Sequence, residues 1–270
     1  IDIRSASARI MDVLIAGNTV TRVPNGDGGG IELNYVSVNR PLLKNVTISN
    51  NTARTGGGIR STATHMDMID CTIKNNTASY RGGGVAVGGD AYAASSLGGP
   101  NLYKNVLITG NTSERGGGFA ATSSAHALFE NVTIAGNTAT SSGNNSGGGV
   151  DIDGPTDWKF LNSIIWGNTP NQLDYYGNNS ATVDIDYSII QGGLSGFSNN
   201  DDEDLTLTWG ANNLSSNPLF QDASSGDYSL ALGSPAVDAG NPAAMYVDED
   251  GTQNDMGYTG GNRIRLSASE

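Results

Sequence analysis

Glu32, Arg60, Asp151 and Asp153 are the residues whose types and spacing best suit chemistry. Each follows a run of three glycines and an apolar residue, in "GGGIEL", "GGGIRS" and "GGGVDI". Carboxylates beside a guanidinium suit acid–base cleavage of a polysaccharide, where Arg, Lys or calcium neutralises a uronate carboxylate. The equivalent places in other copies hold Ala86 and Ala120, then Asn34, Thr62, Gly88 and Thr122. If copies stack as strands about 4.8 Å apart, Arg60 and Asp151 stand about 14 Å apart, too far for a concerted pair. No catalytic residue is assigned on this basis. His65 and His126 follow their triplets at similar offsets and are expected to decorate loops rather than act as bases.

Metal chemistry has one better candidate. In "DEDGTQND", Asp248, Asp250 and Asp255 surround a glycine turn and resemble part of a calcium loop. The full spacing and terminal Glu of an EF-hand are missing. Calcium is therefore the one cofactor expected, with a solvated turn as the alternative. Asp201, Asp202, Glu203 and Asp204 form a second acidic turn of the same kind. Tyr80, Tyr92, Tyr103, Tyr175 and Tyr176 lie in or beside expected loops and offer a sugar-stacking surface. Cys71 is the only cysteine, so it forms no internal disulfide and reads as a small buried residue.

These residues need a scaffold, and the repeat supplies it. "DVLIAGNT" from Asp12, "NVTISNNT" from Asn45, "DCTIKNNT" from Asp70, "NVLITGNT" from Asn105, "NVTIAGNT" from Asn131 and "NSIIWGNT" from Asn162 align, with a degenerate "DYSIIQGG" from Asp186. The aligned isoleucines, Ile15, Ile48, Ile73, Ile108, Ile134, Ile165 and Ile189, recur at spacings of 24 to 35 residues. Short Val/Ile runs punctuated by Gly and Pro exclude long helices and predict strands. A unit of this length without a leucine-rich consensus or a propeller signature predicts a right-handed parallel β-helix of about eight or nine rungs, all-β. Val46 and Ile48, Val106 and Ile108, and Val132 and Ile134 alternate into its interior. Asn18, Asn51, Asn76, Asn111, Asn137 and Asn168 each end a strand, where stacked amides would form a ladder along the axis. Asn also tolerates left-handed backbone. The glycines open the next strand, and the residues between Asn-Thr and the glycines are expected to be free external loops.

Composition bounds the partners. The formal net charge of −13 and the lack of a basic stretch exclude nucleic acid. No apolar segment is long enough for a helical membrane span. The chain opens inside a repeat unit, predicting a trimmed N-terminus and a first rung that packs against further coils, another domain or another subunit.

The I-x-x-N and GGG-plus-apolar pattern resembles the FxxN and GGAI repeats of polymorphic outer-membrane proteins, over about residues 10–195. After the repeats, "NPLF", "GDYSL", "GSPAVDAG", "DEDG" and "DMG" resemble the end segment of choice-of-anchor Q surface proteins. Gln253 stands where that pattern implies an arginine. The resemblance implies bacterial, extracellular or cell-surface β-helices, with an anchor beyond the segment. The expected organisation is thus 1–195 repeats and 196–270 terminal rungs plus a capping segment, with Leu219, Phe220, Tyr228, Leu230 and Leu232 plugging the open last rung. The expected function is a non-enzymatic structural or adhesive rod, surface-displayed or associating end to end into filaments. The alternatives are a carbohydrate-active β-helix, lyase rather than hydrolase, and a glycan-binding module.

Overall fold

The computed structural model describes residues 1–4, 8–21, 26–35, 40–89, 99–121, 125–141, 146–177, 180–199 and 204–261. The described residues are all-β, with three parallel sheets, one short antiparallel pair (Phe220–Asp222 with Asp227–Leu230) and no closed barrel among them. One parallel sheet takes Asp2–Arg4, Ile31–Asn34, Ile59–Thr62, Val85–Gly88, Phe119–Ala121, Gly147–Ile152, Asn171–Tyr175 and Phe197–Asn199 in order. A second, 13-stranded sheet runs along another side and bends at a corner. Its limbs begin with Arg9–Met11 and Leu14–Ala16 and fuse into continuous strands at Asn101–Thr109 and Ala125–Ala135.

Like pairs with like. Ile48 stands beside Ile73, Ile73 beside Ile108, and Ile108 beside Ile134, each on a neighbouring parallel strand. A strand shows successive residues to opposite faces, so this register keeps Ile48, Ile73, Ile108 and Ile134 all inside. In the degenerate copy the true partner of Ile165 is Ile190, not Ile189, which pairs with Ile164 on the outer face. The corner residues set that register. Asp12, Asn45, Asp70, Asn105, Asn131, Asn162 and Tyr187 all take left-handed φ of 47–55° at the bend.

The segment between Asn-Thr and the glycines is not a free loop. Thr52–Thr55, Thr77–Arg81, Thr112–Ser113 and Thr138–Ala139 form a third, four-stranded parallel sheet. Ala53, Ala78, Ser113 and Ala139 are a buried column of small residues, and Thr55 and Arg81 at the strand ends are buried as well. The glycines behind it serve two purposes. Gly56 sits at φ +65°, while a Cβ on Gly83 would lie 2.5 Å from both the Thr112 and Gly117 carbonyl oxygens. Gly83→Ala should therefore destabilise by about 3 kcal/mol in denaturant titration, since backbone oxygens cannot yield as a side chain would. Gly226→Ala, strained at φ +88° but with open space around it, should cost only about 1 kcal/mol.

The core is aliphatic, with Met66 and Met68, toward the first passes, most aromatic in the middle, and mixed toward the last, where Tyr175 and Phe197 join Leu173, Val183 and Ile185. Phe129 stacks on Phe160 at 4.4 Å, Phe119 meets Tyr103, Phe129 and Trp158 edge to face, and Tyr103 and Trp158 lie tilted against Phe129. Trp158 satisfies its indole by donating to the Ala125 carbonyl at 3.0 Å.

The C-terminal segment does not plug the last rung. It folds back along the flank of the passes between about residues 105 and 190. Tyr228 is buried against Leu107 and Ala135, with Phe220 edge-on at 5.0 Å. Ala236 and Met256 cover Ile164 and Ile189. Asn131 and Asn254 exchange side-chain amide bonds at 2.9 and 3.2 Å, and the Asn241 and Gly257 amides donate to Asn162. Leu219 and Leu232 are exposed. The outer column there offers the strap apolar ground in Leu107, Ile164 and Ile189, interrupted by Thr133; the earlier positions of the same column are Leu14, which stays exposed, Thr47 and Thr72. Gln253 holds the strap by donating to the Gly240 carbonyl at 2.7 Å.

Candidate functional site

The six strand-ending asparagines lie in one line. Nδ2 of Asn18, Asn51, Asn76, Asn111 and Asn137 each donates to Oδ1 of the next, at 2.9–3.0 Å. The same Oδ1 atoms accept the preceding asparagine's backbone N–H. From Asn51 on, the second amide hydrogen goes to the carbonyl of Ile15, Ile48, Ile73, Ile108 or Ile134. Gln172 ends the series by accepting from both nitrogens of Asn168. Left-handed backbone belongs to the residue before each asparagine, as in Gly17, Asn50, Asn75 and Gly110, and not to the ladder residue itself. Five of the six asparagines are essentially inaccessible, so the ladder is internal wiring that presents nothing to a ligand.

Two outer faces carry charge. On the eight-stranded sheet, Glu32, Arg60, Ala86, Ala120, Asp151 and Asp174 form one column. Arg60 and Asp151 are three strands apart and are not brought together. Arg81 and Arg115 take their place. Each immediately precedes a glycine triplet, and Arg81 reaches two strands along to pair with Asp153. On the strands it spans, the column holds Ala86 and Ala120, both fully covered. Those alanines make room for an arginine. Tyr80 stacks under Arg54 and Arg81 at 4.9 and 5.2 Å, and Tyr176 under Arg115 at 5.3 Å.

Beneath this layer Asp151 and Asp174 are direct cross-strand neighbours, both wholly buried. Neither Asp151 oxygen has a hydrogen-bond partner among the described residues. Burial pushes the Asp151 carboxyl up to about 7; Arg81 and Arg115 oppose this and Asp174 adds to it. Asp174 escapes sequence reasoning because its copy, "TPNQLDYY", has no glycine triplet to align. Arg81 and Arg115 had a usable signal, the repeated "RGGG".

The second face lies on the 13-stranded sheet. Here a groove of about 460 Å³ runs between a wall at Gly99–Pro100 and a floor including His126, Leu128, Asp157, Lys159 and Asp184. His126 sits on a strand rather than a loop and faces this groove, with Asp157 beside it on the next strand. His65 is not a loop decoration either: it is fully buried, and burial followed by the Arg40 charge lowers its pKa. Tyr103 and Tyr175 belong to the core, which leaves Tyr80 and Tyr176 accessible. Tyr92, Thr122, Asp201, Asp202 and Glu203 lie outside the described residues.

In the C-terminal loop, Asp248 accepts the backbone N–H groups of Asp255 and Gly261. Asp250 accepts from Thr252, and Asp255 from the Asp238 N–H. Burial raises the Asp248 and Asp255 carboxyls, whereas the Thr252 N–H and hydroxyl lower Asp250. These oxygens organise the turn, and no group of three metal-binding side chains gathers among the described residues. Cys71 is buried, its one S–H lies within reach of the Leu43 and Ile69 carbonyls and can donate to either, and its thiol is pushed up to about 12 by burial, which removes it as a nucleophile. No helix among the described residues is long and apolar enough to cross a membrane. Comparison with protein-family models, with curated proteins and with solved structures finds no match to this chain.

Proposed function

We propose that the parallel sheets are the sides of a right-handed parallel β-helix, and that it is a non-enzymatic structural or adhesive protein of the cell surface or extracellular space. Right-handedness follows from the near-universal hand of parallel crossovers. The resemblance to polymorphic outer-membrane repeats and to choice-of-anchor Q segments supports the surface setting. End-to-end or upstream-domain contact falls to the first pass, where Ile3 and Ile10 are only half covered.

One observation carries the non-enzymatic reading. The most enzyme-like carboxylates, Asp151 and Asp174, are sealed beneath their own arginines, and a substrate atom has no route to them. Incubation with polygalacturonate and alginate should therefore leave the ultraviolet absorbance of the β-elimination product flat. A steady rise that disappears in Arg60→Ala or Asp151→Asn would overturn the proposal.

A second reading, a carbohydrate-active β-helix, rests on the same pair. Asp151, raised to about 7 beside Asp174, has the character of a general acid once uncovered. The same assay decides between them.

A further inference from the structure

We propose that the groove on the 13-stranded sheet is a glycan site for a neutral or amino-sugar chain lying across the strands. This specifies what the adhesive surface would hold, and so it rests on the adhesive reading.

The wall is built before any ligand arrives. Arg40 donates to the Gly99 and Pro100 carbonyls and pairs with Asp67 at 2.5 Å, so one half-buried guanidinium pins the rim to the sheet. A site held in shape this way loses little ordering entropy on binding. The floor follows from register. Leu128, Lys159 and Asp184 are successive neighbours in one outward column, and His126 and Asp157 are neighbours in the next. Neighbours repeat about every 4.8 Å across the strands, and the columns stand two residues, or about 6.6 Å, apart.

The result is a flat apolar patch, from Leu128 and the Pro100 ring, bordered by two carboxylates and an ammonium. Two carboxylates can accept vicinal hydroxyls while Lys159 donates to a ring or glycosidic oxygen. The patch takes the C–H face of a pyranose. At about 460 Å³ the space falls in the range of ligand sites. With Asp157 and Asp184 against Lys159 alone, in a chain of net charge −13, an acidic glycan or phosphate is repelled. A purely apolar ligand would strand both carboxylates.

The test titrates the whole chain calorimetrically with chitotetraose, cellotetraose and tetragalacturonate, and with tetralysine as the cationic-peptide control. Chitotetraose or cellotetraose should bind saturably, at least tenfold more tightly than tetragalacturonate or tetralysine. Asp157→Asn and Asp184→Asn should each weaken that binding about tenfold. Asp157 is exposed and Asp184 half-buried, so both variants should keep the wild-type melting temperature. Absence of saturable binding by either neutral or amino tetrasaccharide would overturn the site, as would tighter binding of tetragalacturonate or tetralysine. Binding unchanged in both variants would place any sugar elsewhere. The scaffold reading stands or falls separately, on the elimination assay.

Discussion

Asp151→Asn should raise the melting temperature at about pH 8 and leave it nearly unchanged at about pH 4. The Asp151 carboxyl is raised to about 7 in the folded chain, by burial first. The sign follows from linkage. A group whose folded pKa lies above its unfolded one favours the fold while protonated, and that contribution fades as pH rises through the folded value. Between about pH 4 and 7 the wild type therefore loses stability that the neutral amide keeps. The full shift corresponds to about 4 kcal/mol, and relaxation of the site around the charge reduces it to about 2 kcal/mol. For a chain of this size that is roughly 4–8 °C. The charged groups facing Asp151 are Arg81, Arg115, Asp153 and Asp174, and the neutral amide removes the repulsion from Asp174. A lower melting temperature for Asp151→Asn at pH 8 would mean that the arginines hold an ionised Asp151 in a net-favourable cluster.

Asn111→Ala should be the most damaging single truncation of a polar side chain. It removes bonds to the Ile73 carbonyl and Asn137 Oδ1, and it strands the backbone and side-chain donors of Asn76. All of these groups are buried. Each orphaned group costs about 1–3 kcal/mol, and relaxation within the stack limits the sum to about 4 kcal/mol. Asn18→Ala, at the exposed start of the ladder, should cost under about 1 kcal/mol because water can replace its partner. Equal losses at Asn18 and Asn111, measured by urea unfolding, would show that position in the ladder is irrelevant.

How much of this was legible depended on whether a residue's role was fixed locally. Ile48 and Asn51 stand three residues apart, one inside a strand and one just past its end, and the same spacing recurs in all six asparagine-bearing copies. The third sheet was hidden because its inward residues are alanine and serine, whose size suits the narrow space but whose hydrophobicity gives no alternating signal. Ile189 was misplaced by one position because "SII" offers two isoleucines, and period-two geometry sends one of them outside. The strap's course was written in Leu107 and Ile164, apolar residues at outward positions, which make sense only once something covers them. The Asp151–Asp174 pair was beyond reach, since adjacency across strands depends on a register that a copy without glycines does not announce.

Stacking of copy upon copy is open to direct chemical measurement. With Cys71 replaced by serine, Thr47→Cys and Thr72→Cys place thiols on cross-strand partners of adjacent passes, half-buried on the outer face. Their Cα spacing, about 4.8 Å, suits a disulfide. Mild oxidation should close an intramolecular disulfide quantitatively, detected by mass spectrometry, while Thr47→Cys with Lys74→Cys, two residues out of register, should remain largely reduced. Failure of the first pair to close, or equal closure of both, would contradict the in-register stack on which the ladder, the sealed carboxylates and the groove all depend.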